Sequence, residues 1–182
     1  YISDVSSQIL PSEEIDIIAY GCTSGTIAIG SDRIKEEVNK TKPKAKVTTP
    51  ITAALKAFKH LGLKNIAVLT PYPKDVNATV YDYLIDHNIG IESFSSFNLE
   101  YDAEIAQVSL ASLEKEISKI DLSNVDGLFV SCTALKIVDV LDRVESSQNT
   151  VVISSNQAII WDCLRSIGIN SKIEGYGKLL SN

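Results

Sequence analysis

The sequence predicts an α/β fold in which two pseudosymmetric lobes, each a parallel sheet flanked by helices, face one cleft. Three observations carry this. Short apolar, β-branched runs alternate with segments of helical periodicity along the chain. The stretch Asp16-Ile-Ile-Ala-Tyr-Gly-Cys22-Thr23 returns as Asp126-Gly-Leu-Phe-Val-Ser-Cys132-Thr133, 110 positions later. Val47-Thr-Thr-Pro50 with a helix to Gly62 returns as Ile153-Ser-Ser-Asn156 with a helix to Gly168, at an offset of 106. The chain is expected to form a lobe of residues 1–48 with 155–182 and a lobe of 49–154.

The elements follow in order. After a polar helical lead-in, Ile15 to Tyr20 reads as a buried strand, too short and too uniformly apolar for an amphipathic helix. Thr23 to Ile29 opens a helix, which Ser31 restarts or continues. Ala45 to Thr48 makes a short strand. Pro50 stands at the first turn of a helix whose apolar face is Ala54, Ala57, Phe58 and Leu61, and Gly62 ends it. Asn65 to Thr70 is a buried strand stopped by Pro71-Tyr72-Pro73, Asn77 to His87 a helix, and Ile89 to Phe97 a strand. Leu110, Leu113, Ile117 and Ile120 mark a helix ahead of the second cysteine strand. Ala134 to Val144 is expected to be helical and Thr150 to Ile153 extended. Asn156 is expected to cap a last helix with Ile160, Cys163, Leu164 and Ile167 inward.

Composition narrows the function. The 182 residues suffice for a real core, and a mean hydropathy near zero with 22% charged residues fits a soluble chain. No apolar run is long enough to span a membrane and no signal peptide is indicated, so a cytoplasmic location is expected. The net charge of −6 without a Lys/Arg cluster argues against nucleic acid, though not against a small anionic substrate. Three cysteines cannot all pair, and they read as free thiols. No Cys or His pair has zinc-ligand spacing, and no metal is expected. Met is absent and the first residue is Tyr1, so a fragment of a longer protein is expected.

The chemistry is read at the two strand ends. In parallel α/β sheets ligands sit beyond the carboxyl ends of strands, where Cys22 and Cys132 both fall. A helix N-terminus offers unpaired N–H groups that favour thiolate, and the small residues after each cysteine leave those amides open to a carboxylate. A small carboxylic acid held there would place its reacting carbon between two sulfurs. The pair can then move a proton on opposite faces, or one thiolate can add to a double bond and allow rotation. Two buried structural thiols are the plainer alternative, outweighed by the repetition of the junction. Cys163 is assigned to the core, Trp161 to packing, and His60 and His87 to helix surfaces; Asn77 and Asn156 are read first as helix caps.

Gly21-Cys-Thr-Ser-Gly25, Thr70-Pro-Tyr72 with Asn77, Ser131-Cys-Thr133, and Ser154-Ser-Asn156 ahead of Trp161 resemble the aspartate/glutamate racemase superfamily. Within it they look most like the branch of maleate cis-trans isomerase, arylmalonate decarboxylase and ectoine-utilisation protein A. The 93–108 region looks closest to the last. The resemblance implies a racemase-like two-lobed fold, no cofactor, and homodimerisation. It implies Cys22 and Cys132 as the catalytic pair, with Thr23, Ser24, Tyr72, Asn77 and Thr133 holding the substrate. Arylmalonate decarboxylases have glycine at the first cysteine position, so Cys22 disfavours decarboxylation. Members also begin with a strand that carries substrate contacts, and a missing N-terminal strand is expected here. The function expected is a cofactor-independent isomerase or racemase of a small carboxylic acid, of the maleate isomerase or ectoine-utilisation type. A non-catalytic carboxylate sensor and an arylmalonate-type decarboxylase are the alternatives.

Overall fold

The strands form where apolar and β-branched residues run uninterrupted, and in a computed structural model describing all 182 residues they make two parallel sheets. In chain order the elements are α1 (Ile2–Gln8), β1 (Ile17–Ala19), α2 (Thr23–Ile29), α3 (Ser31–Asn39), β2 (Lys46–Thr48), α4 (Pro50–Leu61), β3 (Asn65–Thr70) and α5 (Lys74–Asp86). Then come β4 (Gly90–Ser96), α6 (Asp102–Ile105), α7 (Leu110–Ile117), β5 (Gly127–Val130), α8 (Leu141–Gln148), β6 (Val151–Ser154), α9 (Ser155–Ser166) and α10 (Lys178–Ser181).

β1 pairs with β2, Ile18 opposite Val47. The larger sheet has the order β4-β3-β5-β6, with Ala67 opposite Leu128 and Phe129 opposite Ile153. β3 and β5 are central and covered on both faces, which is why Ile66 to Leu69 and Leu128 to Val130 are fully buried rather than alternating. Each such Leu or Ile contributes about 1.5–3 kcal/mol of transfer free energy. Phe58 of α4 meets Phe129 edge to face, ring centres 5.3 Å apart. A smaller cluster of Ile18, Ile34, Val38 and Ala45 fills the space beside the two-stranded sheet. Asp126 of the duplicated motif accepts the Lys64 and Asn65 amides at 2.8 Å each and so fixes where β3 begins.

The two repeats meet through their long helices. α4 packs on α9, and α9 also touches β1, β2 and β6. Asp162 of α9, only 3% exposed, accepts hydrogen bonds from Lys56 of α4 at 2.7 and 2.9 Å and from the Thr48 hydroxyl. A buried carboxylate persists only when paired in this way.

Four sequence expectations are corrected. The helix expected over 134–144 is instead a turn, a 3-10 segment at Val138–Val140, and α8. Asn156 donates to the Thr133 and Leu135 carbonyls that such a helix would need, and Lys136-Ile-Val-Asp-Val140 is a poor helix former. α5 starts at Lys74, before Asn77, because Pro73 serves as its N-cap. α9 is capped by Ser154, whose side chain accepts the Gln157 amide, so Asn156 is not the cap. Its inward side is Ala158, Ile159, Trp161 and Asp162, while Ile160 is 53% and Ile167 40% exposed and Cys163 is half-buried. A charged residue in the buried stripe hid the true face from a hydrophobicity count. No helix is long and apolar enough to cross a membrane.

Candidate active site

The carboxyl ends of β1, β3, β5 and β6 deliver Cys22, Tyr72, Cys132 and Ser155 respectively. Around Cys22 the local fold is a helix start. Its backbone is extended, its sulfur accepts the Gly25 N–H at 3.3 Å, and its carbonyl accepts the Thr26 hydroxyl at 2.6 Å. The Cys22 thiol is exposed, with the Ser24 hydroxyl 3.9 Å away. The Thr23 and Ser24 N–H groups, in the first turn of α2, have no protein acceptor. Gly25 is needed for close approach: a Cβ there would lie 2.9 Å from the Cys22 sulfur and 2.9 Å from the Tyr20 hydroxyl oxygen. Burial and the neighbouring Cys22 together hold the Tyr20 hydroxyl above its ordinary pKa.

Cys132 is built differently, although the sequence repeats. No α-helix follows it, and its φ of +105° is a conformation that residues other than glycine rarely adopt. The side chain is 7% exposed. Burial pushes the thiol pKa up, with Asp102 adding in the same direction. The dipoles of the nearby Tyr72 hydroxyl and of the Ala134 and Leu135 amides pull it back. The expected helix-terminus activation of this thiol is therefore overturned: with no helix to supply a dipole, desolvation dominates.

Tyr72, 6% exposed between Pro71 and Pro73, brings the junctions together. Its hydroxyl lies against Cys132, Ser131 and Ser24, and burial followed by the Cys132 sulfur holds its pKa far above the usual phenol range. It is thus a hydrogen-bond donor at any ordinary pH. Ser131 is fully buried, and its hydroxyl forms no hydrogen bond of acceptable geometry even with Tyr72 nearby.

Of the residues expected to hold substrate, Ser24 and Tyr72 keep hydroxyls at this place, whereas three others spend their polar groups on the protein. Thr23, 1% exposed, donates to Ser155 at 3.1 Å. Thr133 donates to the Gly21 carbonyl at 2.7 Å. Asn77 accepts from the Thr70 hydroxyl and donates to the Tyr72 carbonyl at 2.7 Å.

Two residues escaped the sequence reading. Tyr20 was hidden because it reads as a strand residue, although it stands two places before Cys22. Ser155 was hidden beside a presumed cap, its neighbourhood marked by the duplication of the Thr-Thr-Pro motif and by the Ser154-Ser-Asn156 resemblance but no role assigned to it. No group of three or more His, Cys, Asp or Glu is arranged to hold a metal ion.

A family model described as arylmalonate decarboxylase matches residues 15–180. A maleate isomerase of Alcaligenes faecalis is 20% identical, the match covering 98% of this chain and 74% of that protein. Among solved structures, a cysteine-to-alanine variant of the maleate isomerase Iso from Pseudomonas putida S16, with maleate, superposes with a TM-score of 0.89 at 21% identity. That match covers 99% of this chain and 73% of that one. A cysteine-to-serine mutant of Nocardia farcinica maleate cis-trans isomerase with a covalently bound succinylcysteine intermediate gives 0.86 at 20%, covering 91% and 71%. The likeness establishes the racemase-like α/β fold expected from the sequence.

Proposed function

The chain belongs to the arylmalonate decarboxylase family, and from that premise we propose that it is a cofactor-independent cis-trans isomerase of a small unsaturated dicarboxylate such as maleate. The observation that carries the reading is the unlikeness of the two sulfurs. Cys22 is exposed and accepts a backbone N–H, as a nucleophile does, while Cys132 is buried and held protonated, as an acid is.

The steps follow from that difference. The Cys22 thiolate adds to one olefinic carbon, and the π electrons move onto the neighbouring carbon and its carboxylate. That carboxylate is held by Ser24, Tyr72 and the open Thr23 and Ser24 amides. The Cys132 thiol gives its proton to the carbanion, leaving a thioether and a Cys132 thiolate. The former double bond, now single, rotates. Rotation brings the other hydrogen of that carbon to Cys132, whose thiolate takes it as a proton, and the electron pair re-forms the double bond as Cys22 leaves as thiolate. In the Nocardia protein a succinylcysteine persists in a cysteine-to-serine variant, so the adduct there is on a cysteine other than the replaced one. Decarboxylation would need only the acid and give Cys22 no step. The reading places the cleft between a lobe of 1–48 with 155–182 and a lobe of 49–154, and it keeps homodimerisation as an expectation for sedimentation analysis.

The test is proton NMR of maleate incubated with the chain in heavy water. Fumarate formation supports the proposal. Solvent deuterium entering the α-carbon of an amino-acid substrate, with maleate untouched, would replace it with a racemase of the ectoine-utilisation type. Saturable carboxylate binding without turnover would replace it with a sensor.

A further inference from the structure

Ser155 belongs to neither cysteine junction, yet it touches both. Its hydroxyl oxygen accepts the Thr23 hydroxyl, next to Cys22, at 3.1 Å and the backbone N–H of Cys132 itself at 3.1 Å. It is fully buried at the first position of α9. The next residue, Asn156, donates to the carbonyls of Thr133 and Leu135 at 2.9 and 3.4 Å, holding the turn that follows Cys132.

Cys132 needs such a hold. A cysteine at φ +105° sits in a backbone well that costs on the order of 1–3 kcal/mol and persists only when its surroundings over-determine it. Without Ser155, the Cys132 N–H loses its acceptor and the local backbone can relax toward an ordinary conformation, carrying the sulfur away. Thr23 would lose its acceptor at the same time, loosening the Cys22 side. We infer that Ser155 is the positioning residue that holds the two sulfurs in register, acting through the Cys132 amide and the Thr23 hydroxyl without touching the substrate. The inference rests on the two-thiol reading of the site. A displacement of about 1 Å between reacting groups costs on the order of 10²-fold in rate, so register is worth as much as an acid–base group.

The experiment uses the chain with Cys163→Ser, so that only Cys22 and Cys132 remain, and dibromobimane, which fluoresces fully when it bridges two neighbouring thiols. The parent is expected to give a Cys22–Cys132 bridge, identified by peptide mass. Ser155→Ala is expected to bridge at least 5-fold more slowly, while each thiol still reacts singly with iodoacetamide. With maleate, its kcat is expected to fall about 10–100-fold with KM changed less than 3-fold. Should Ser155→Ala fail to fold, Thr23→Val, which withdraws one of the two donors, is read in the same way. Native bridging in the folded variant, or no bridging in the parent, overturns the inference. A parent that bridges but turns over no dicarboxylate overturns the isomerase reading alone, and bridging then decides the role of Ser155.

Discussion

The hydroxyl of Thr133 donates to the carbonyl of Gly21 across 2.7 Å, so the residue after one cysteine is bonded to the residue before the other. With the Thr23–Ser155–Cys132 bonds, this makes the two strand ends a single polar unit, and the predictions below probe it.

Cys22→Ser is expected to lower maleate turnover by about 10³-fold or more and to abolish any covalent adduct. Cys132→Ser is expected to lower turnover similarly, while the adduct accumulates on Cys22. Intact mass spectrometry after incubation with maleate checks both: a gain of one maleic acid should appear in the second variant and not in the first. Adduct on neither, with fumarate still formed, would remove the covalent route.

Tyr72→Phe is expected to slow turnover about 10–10³-fold, because a donor to the substrate carboxylate is lost. The same change withdraws the hydroxyl whose nearby dipole pulls the Cys132 pKa down, so the alkaline limb of the rate profile should move to higher pH as the rate falls. A limb that moves down, or stays, would show that Cys132 is not the acid it reports.

Gly25→Ala is expected to fold with a loss of about 1–3 kcal/mol and to lose about 10²-fold in turnover, since its Cβ meets both the Cys22 sulfur and the Tyr20 hydroxyl. Adding Tyr20→Phe removes the second obstacle and should restore part of the activity. An equally poor double variant would mean that the sulfur contact alone does the harm.

The stability of the chain should fall as pH rises. Burial raises the Cys132 pKa above its unfolded value, so the folded state keeps a proton that the unfolded chain releases. The favourable contribution is whole below about pH 8.5 and is lost as pH climbs through the folded value. Urea titrations at several alkaline pH values should show a steeper decline for the native chain than for Cys132→Ser.

Lys56→Ala is expected to cost about 1.5–3 kcal/mol by leaving Asp162 with only hydroxyl partners, and Lys56→Met with Asp162→Leu to recover most of it. Thermal unfolding reads both. Recovery would assign the pair to joining α4 and α9 rather than to net stability.

The alternation of strands and helices and the duplication of the cysteine junction are local and periodic, so the sequence by itself determined the fold class and marked the positions of two thiols at strand ends. β3, α2 and α4 begin and end where hydrophobic runs, Pro50 and Gly62 place them, whereas α7 stops at Ile117, short of the Ile120 the sequence reading included. What tertiary structure decided is the difference between the copies. Both junctions read alike as residues, but one packs as an exposed helix start and the other as a buried, left-handed turn held by Ser155 and Asn156 from the far end of the chain. Tertiary contacts also engage the side chains of Thr23, Thr133 and Asn77, which bond to Ser155, to the Gly21 carbonyl and to the Tyr72 carbonyl. Burial and long-range hydrogen bonding set the character of a thiol and the availability of a hydroxyl, and neither is encoded in the neighbours along the chain.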